Sequence, residues 1–136
     1  MKRRYLALVL LLIAAAAAFA LTRPKENRPF ADLSAGEIER ASVRLLPPDA
    51  TFELTTAEID ELARTLRRVV IYERDEPAGT SNGQGVIYTL TLRDGTERTV
   101  VAYNPFLMVD GVWYRTKYAP CEALNALGNR IGKTGR

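Results

Sequence analysis

The hydrophobic pattern begins with an uninterrupted apolar run over residues 5–21, preceded by three basic residues. A membrane-spanning helix needs about 20 apolar residues, with a lower limit of about 17, so the run is just long enough for an anchor. It ends near the triplet AFA, the small-x-small pattern of a signal-peptidase site, so cleavage after Ala20 is the alternative. We expect residues 1–21 to be a transmembrane anchor or a signal peptide, and residues 22–29, with two prolines, a linker. Basic residues flank the run on both sides, so the positive-inside rule barely discriminates, but the N-terminal position and signal-like shape favour export of the domain that follows.

Two patterns after the linker predict helix starts. Ser34 and Glu37 have the spacing of a capping box for a short helix through Arg40. Thr55 and Glu58 have the same spacing before a longer helix. That helix carries one apolar stripe with steps of three and four residues, formed by Ile59, Leu62, Ala63, Leu66, Val69 and Val70. The β-branched residues at the end of the stripe predict conversion to a strand.

The chain ends in a third helical pattern. Pro120 suits the first turn of a helix, where its missing N–H loses no hydrogen bond. Gly128 and Gly132 are expected to weaken the end of this helix. Its apolar face comprises Cys121, Leu124, Leu127 and Ile131.

Strands are predicted between these helices. SVRLL and TFEL form two strands joined by a Pro-Pro-Asp turn at residues 47–49. The Asp-Gly pairs at residues 94–95 and 110–111 each predict a type I′ hairpin. The segment DEPAGTSNGQG, residues 75–85, has no periodicity and predicts a mobile loop.

The hairpin turns determine which residues face each other. In the first hairpin, the predicted pairs on one face are Leu92–Glu97, Leu90–Thr99, Tyr88–Val101 and Val86–Tyr103. The other face is more polar, so we expect these pairs to form the core face. The second hairpin pairs Met108 with Trp113 on one face and Leu107 with Tyr114 on the other. Both of its faces are apolar, so either the last helix and a loop cover the two sides, or one side is a docking surface.

Together these elements predict an α+β fold for residues 30–136. The expected architecture is a mostly antiparallel sheet of Asp-Gly hairpins with the two longer helices packed on one face, preceded by the N-terminal apolar helix.

The composition removes several classes of function. The chain has no His, which excludes Ser-His-Asp and Cys-His catalysis and imidazole metal ligands. Its single Cys excludes an internal disulfide and a thiolate-rich metal site. The carboxylates are scattered singly or in helix-surface pairs, so we expect neither a metal ion nor a cofactor.

The excess of basic over acidic residues in the chain comes from its leader. The chain has 19 Lys and Arg against 16 Asp and Glu, and a sequence pI of about 9.2. Without the three basic residues before the apolar run, 16 basic residues remain against 16 acidic ones. No basic stripe interleaved with aromatic residues is left, so we expect no nucleic-acid partner.

The candidate functional residues are one thiol and a group of aromatic side chains. Cys121 lies in register with Leu124, so core packing is the simplest interpretation. Its place in the first helical turn is the one argument for a reactive thiol. The aromatic residues fit either the core or, with a polar rim, a groove for a peptide or another envelope protein. The predicted groove residues are Tyr103, Phe106, Trp113, Tyr114, Lys117 and Tyr118.

Four strings carry a resemblance to a known group of domains. LPPDATFEL, VVIYERD, YTLTLRDGT and AYNPFLMVDGVWYRTKYAPCEALN resemble small extracytoplasmic domains of unknown function from Gram-positive bacteria. Such domains follow a signal or anchor segment, or lie beyond the membrane part of antirepressor-type sensor metallopeptidases. The resemblance implies an α+β fold and an outside location. It lends no catalytic residues, and the chain has no H-E-x-x-H motif.

Three functions are compatible with these observations. The first is a membrane-anchored or secreted interaction or sensor domain without catalytic activity. The second is a structural protein of the bacterial cell envelope. The third is a small enzyme that uses Cys121 or carboxylates. The absence of His and the neutral globular part favour the first over the enzyme.

Overall fold

The computed structural model describes residues 2–22, 27–78 and 85–134. The helices are α1 Lys2–Thr22, α2 Thr56–Arg67 and α3 Tyr118–Gly132. The strands are β1 Ile38–Leu46, β2 Ala50–Glu53, β3 Ile71–Arg74, β4 Gly85–Leu92, β5 Glu97–Tyr103, β6 Phe106–Val109 and β7 Val112–Thr116. The strands form one seven-stranded antiparallel sheet in the order β2-β1-β4-β5-β6-β7-β3. The predicted α+β class is therefore confirmed.

The hydrophobic core lies between the sheet and helices α2 and α3. Alternate residues of the central strands point into it, including Val43, Tyr88, Leu90, Val100 and Leu107. The helices contribute the residues of their predicted stripes, and these are buried at Leu62, Ala63, Leu66, Cys121, Leu124, Leu127 and Ile131. The sheet thus has a core face under the helices. The opposite face is called the outer face below.

Helix α2 begins at the predicted capping box. The Glu58 N–H donates to Thr55 Oγ1 over 3.2 Å, and the Thr55 N–H donates to Glu58 Oε1 over 2.8 Å. Two backbone donors that the helix itself leaves unpaired are satisfied in this way, which typically contributes about 1 kcal/mol. Local signals therefore suffice to place this helix.

The predicted short helix from Ser34 to Arg40 is wrong. Only a 3₁₀ turn forms, at Ala35–Glu37, and β1 begins at once with Ile38. The Ser34 hydroxyl donates to a Glu37 carboxylate oxygen over 3.2 Å and caps no backbone N–H. No apolar stripe follows this cap, whereas the next residues alternate in burial as a strand requires, so sheet pairing prevails.

The first hairpin, β4 with β5, differs from the prediction by one residue. Tyr88 lies opposite Val100, and Val86 lies opposite Ala102. The Leu92 N–H donates to the Thr96 carbonyl over 2.8 Å, which leaves a loop of residues 93–95 rather than a two-residue turn. Within this loop Gly95 has a positive φ of 89°, as in a type I turn followed by a bulge. Because strand side chains alternate, the slip moves Val101 and Tyr103 to the outer face.

The second hairpin, β6 with β7, has the predicted register. Leu107 lies opposite Tyr114, and Met108 lies opposite Trp113. Both turn residues have positive φ, 49° at Asp110 and 91° at Gly111, which is what a two-residue type I′ turn requires. Asp110 also accepts hydrogen bonds from Arg98 Nε at 2.7 Å and from the Thr99 N–H at 3.0 Å.

Helix α3 lies very close to the sheet at its two glycines. A Cβ on Gly128 would lie 2.5 Å from Val86 Cγ1, and a Cβ on Gly132 would lie 2.5 Å from Leu45 Cδ1. At the same place, the buried hydroxyl of Tyr88 donates to the Leu124 carbonyl over 2.5 Å. Gly128 and Gly132 thus allow close helix–sheet contact, a role that the sequence did not indicate.

The N-terminal region consists of α1 and a segment that joins the sheet. The side chains of residues 3–18 are exposed in α1, and Leu11 is 71% exposed. Asn27 pairs with Ile71 through two backbone hydrogen bonds of 3.2 and 2.8 Å, and Phe30 is buried beneath the Arg98 guanidinium. The packed domain therefore already includes the last residues of the predicted linker.

Among the residues described, no helix combines the length and the apolar character needed to cross a membrane. The predicted loop at residues 75–85 falls partly outside the described residues, since positions 79–84 are not among them.

Candidate functional site

An apolar row crosses four strands on the outer face of the sheet. Cross-strand pairing places Ile87 beside Val101, Val101 beside Met108, and Met108 beside Trp113. Each of these side chains is half-buried, although the residues before and after each are oriented towards the core. We call these four residues the outer row.

A second row lies next to the outer row on the same face, two residues closer to the β5–β6 turn along each strand. Tyr103 pairs with Phe106, and Phe106 pairs with Arg115. The Arg115 guanidinium carbon lies 5.2 Å from the centre of the Phe106 ring, within the range of a cation–π contact. Arg115 Nε also lies 3.1 Å from Asp75 Oδ2, so a charged pair borders the apolar residues. The arrangement of aromatic centre and polar edge is common in protein interfaces.

The structure separates the six predicted groove residues into three places. Tyr103, Phe106 and Trp113 share the outer face. Tyr114 points to the core face and packs against the core. Lys117 and Tyr118 lie at the start of α3, where both are exposed and Tyr118 is 65% exposed. A single groove lined by all six is therefore not formed.

Sequence reasoning missed three residues of the outer row. Ile87, Val101 and Met108 were not among the predicted site residues, and Val101 was assigned to the core. The one-residue slip in the first hairpin explains Val101, because each shift by one residue exchanges the two faces. Ile87 and Met108 were already on the correct faces but were not chosen as site residues. The useful signal was the second hairpin, whose two apolar faces already required a second apolar surface.

The remainder of the outer face is polar. Toward β1 and β2 a recess of about 270 Å³ is lined by Arg40, Ala41, Ser42, Glu53, Thr89, Thr91 and Glu97. In the described part of the chain, no three His, Cys, Asp or Glu side chains converge to hold a metal ion. The outer face therefore divides into a polar half and an apolar half.

Cys121 is a buried core residue, as its helical pattern predicted. Its side chain has no exposed area, and Sγ lies 3.6 Å from the Phe106 carbonyl oxygen. Burial raises the pKa of Cys121 from 9.0 to about 12, against the opposing effect of a backbone hydrogen bond from Tyr103. A thiol with this pKa is almost entirely protonated at neutral pH and is a weak nucleophile.

No protein-family model, curated protein or solved structure matches the chain.

Proposed function

We propose that the chain is a non-catalytic interaction or sensor domain of the cell envelope, attached to the membrane through residues 1–21 or secreted after cleavage at Ala20. Its partner is another envelope protein or a peptide, bound on the apolar half of the outer face. The observation that carries the proposal is the outer row, an apolar surface that runs across four strands on the side away from the helices. A core alone requires only one apolar sheet face.

The chemistry of the outer row suits a protein partner. Its side chains are aliphatic or aromatic with one thioether, and fully burying each such side chain contributes about 1.5–3 kcal/mol. Trp and Tyr frequently dominate the energy of interfaces, and Trp113 and Tyr103 lie within or beside the row. The buried, protonated thiol of Cys121 supports a role without catalysis.

The location part of the proposal is supported by the leader. Residues 5–21 carry no charge, and the described side chains of α1 are exposed, including Tyr5, Leu6, Leu10 and Leu12. Apolar surface of this extent is unfavourable in water and marks contact with a membrane or another protein. The resemblance to extracytoplasmic domains points to the same location.

Photocrosslinking at the outer face tests the interaction. A photoreactive amino acid at Met108 should give one discrete adduct in producing cells, because this position is in the middle of the outer row. The same amino acid at Thr89, in the polar half, is the matched control and should give none. Val101→Lys should abolish the Met108 adduct while the thermal melting of the domain stays cooperative. Equal adducts at both positions, or no adduct at Met108, would contradict the proposed face.

Fractionation and N-terminal sequencing test the leader. The full chain should sediment with membranes, and protease added to wall-free cells should degrade the domain. A mature N-terminus at Leu21 would identify the secreted form and exclude the anchor. Protection from external protease would place the domain in the cytoplasm and contradict the proposed function.

A further inference from the structure

The leader enters the domain at one end of the sheet. Asn27 pairs with Ile71, the preceding Val70 carbonyl accepts from the Lys117 N–H at 3.0 Å, and it also accepts from Thr116 Oγ1 at 2.8 Å. The exposed side chains at or within three positions of this junction include three basic residues and one tyrosine. We call these four residues the base, and they are Arg28, Arg68, Lys117 and Tyr118.

The connection from the leader to the base is short. Only residues 23–26 separate the end of α1 at Thr22 from the paired residue Asn27. A fully extended chain spans at most about 3.3–3.6 Å per residue, so Asn27, next to the base residue Arg28, lies within about 18 Å of the end of α1. The opposite end of the sheet, at the β4–β5 loop, lies about 23 Å away along the strands, because the eight residues of β4 make seven steps of about 3.3 Å each.

Tyr118 is exposed in an unusual way for this domain. Outside α1, Tyr118 is the one large hydrophobic side chain among the described residues that is mostly exposed, with 65% of its surface accessible. Its position is fixed, because Asn104 Nδ2 donates to the Tyr118 carbonyl over 3.2 Å and to Glu122 Oε2 over 3.2 Å. Tyrosine is enriched where a protein meets the interface between water and lipid, since its ring is apolar and its hydroxyl is polar.

The other three residues of the base are basic. Arg28, Arg68 and Lys117 are exposed, and none of them takes part in the ion pairs found among described residues. Those ion pairs join other residues, namely Arg44–Asp49, Arg98–Asp110, Arg115–Asp75 and Arg130–Glu61. Of the acidic residues nearby, Glu122 contacts Asn104, and Glu73 is exposed two residues after Ile71 on β3. Basic residues next to a membrane are attracted to anionic headgroups within about a Debye length of the surface, roughly 8–10 Å.

We propose that the base rests on the membrane surface, with Tyr118 among the headgroups and the basic side chains against anionic lipid. The inference relies on the proposed attachment through residues 1–21. Residues 30–136 contain 13 basic and 15 acidic side chains, a formal net charge of −2, so the domain as a whole has no general affinity for anionic lipid. The short connection holds this one end close to the surface, where a few weak contacts suffice to orient it. The outer face then stands roughly perpendicular to the membrane, open to a partner from the side.

Fluorescence quenching from the lipid headgroups tests this orientation. The full chain is reconstituted in vesicles of phosphatidylethanolamine and phosphatidylglycerol that contain a headgroup-labelled quencher. A thiol-reactive fluorophore is placed on Tyr118→Cys and, as the matched control at the far end of the sheet, on Thr96→Cys. The native Cys121 is buried and does not compete for the label. We expect loss of fluorescence at position 118 and no loss at position 96.

Changing the charge of the lipid separates the contribution of the basic side chains from that of Tyr118. Replacing phosphatidylglycerol with phosphatidylcholine should weaken the quenching at position 118, and adding Lys117→Glu and Arg68→Glu should remove that difference. If the chain floats with the vesicles but the fluorophore is quenched equally at both positions, or at neither, the proposed orientation is wrong and the proposed attachment stands. A chain that does not float with the vesicles overturns the proposed attachment as well.

Discussion

Gly128→Ala tests the close contact between α3 and the sheet. The added Cβ would lie 2.5 Å from Val86 Cγ1, 3.2 Å from Tyr88 Oη and 3.4 Å from Val43 Cγ2. Two carbon atoms prefer about 3.5–4.0 Å, so the first contact is too short by about 1 Å or more. Val86 is fully buried and β-branched, which restricts its rotation away from the clash.

The expected loss of stability follows from three contributions. Inserting a methyl group into a well-packed core costs about 1–3 kcal/mol. Displacement of the Tyr88 hydroxyl from the Leu124 carbonyl weakens a buried hydrogen bond with a net value of about 1 kcal/mol. Alanine in a helix offsets about 1 kcal/mol of this, because glycine is the poorer helix former. We expect the free energy of unfolding to fall by about 1–3 kcal/mol, measured by urea denaturation of the domain.

Two control variants separate the clash from the general effect of losing a glycine. Gly36→Ala adds a Cβ with no atom within 4 Å, so the free energy of unfolding should be unchanged or slightly higher. Gly132→Ala meets only the tip of the Leu45 side chain, which can move, so the loss should be smaller than at Gly128. Adding Val86→Ala to Gly128→Ala should recover part of the loss, with a coupling energy of about 1 kcal/mol or more. If Gly128→Ala is as stable as the wild type, the helix lies further from the sheet than described and the reasoning fails.

Tyr88→Phe should lower the free energy of unfolding by about 1–2 kcal/mol in urea denaturation, because the helix carbonyl loses its buried donor. Cys121→Ser should lower it by about 1–3 kcal/mol through a buried hydroxyl. The raised pKa of the Cys121 thiol means that the folded state keeps a proton that the unfolded chain loses above pH 9.0, so stability should fall between pH 9.0 and about 12. Cys121→Ser should make this alkaline decline shallower. Gly111→Val should cost about 1–3 kcal/mol of thermal stability, because a β-branched residue resists the φ of 91°. A domain that starts at residue 27 should be more stable than one that starts at residue 31 by about 3–5 kcal/mol, since the shorter one lacks a buried Phe and a backbone pair.

Each of these predictions has an outcome that would contradict it. Rapid alkylation of Cys121 in the folded domain at neutral pH would rule out the buried, protonated thiol. Gly111→Asn is the matched variant at the second turn and should be tolerated, because Asn adopts positive φ more readily; an equal loss for Asn and Val would point to a cause other than backbone conformation. Equal melting of the two shortened domains would mean that Asn27 and Phe30 contribute nothing to the fold.

The parts of the fold that local chemistry specifies could be predicted from the sequence. The capping box at Thr55 and Glu58 and the stripe after it define α2 without help from the rest of the chain. The turn at Asp110 and Gly111 fixes the register of β6 on β7 in the same way, because two residues with positive φ leave one pairing.

The first hairpin could not be predicted because its turn depends on a distant segment. The Arg93 N–H donates to the Glu37 carbonyl over 2.9 Å, and Arg93 Nε donates to the Gly36 carbonyl over 2.6 Å. These contacts accompany the longer loop at residues 93–95. The hydrophobic pattern does not distinguish the two registers, since Val100 and Val101 are both apolar and either can face the core. Val101 was therefore assigned to the wrong face together with the register.

The positions of β2 and β3 have a consequence for the order in which the domain can be completed. These strands are consecutive in the chain but lie at opposite edges of the sheet, and Ile71 pairs with Thr116, far along the sequence. Pairings of such long range form slowly, because the chain between them must first be ordered. In a chain made from its N-terminus, the sheet edge formed by β3 and Asn27 therefore cannot close until β7 has also been made.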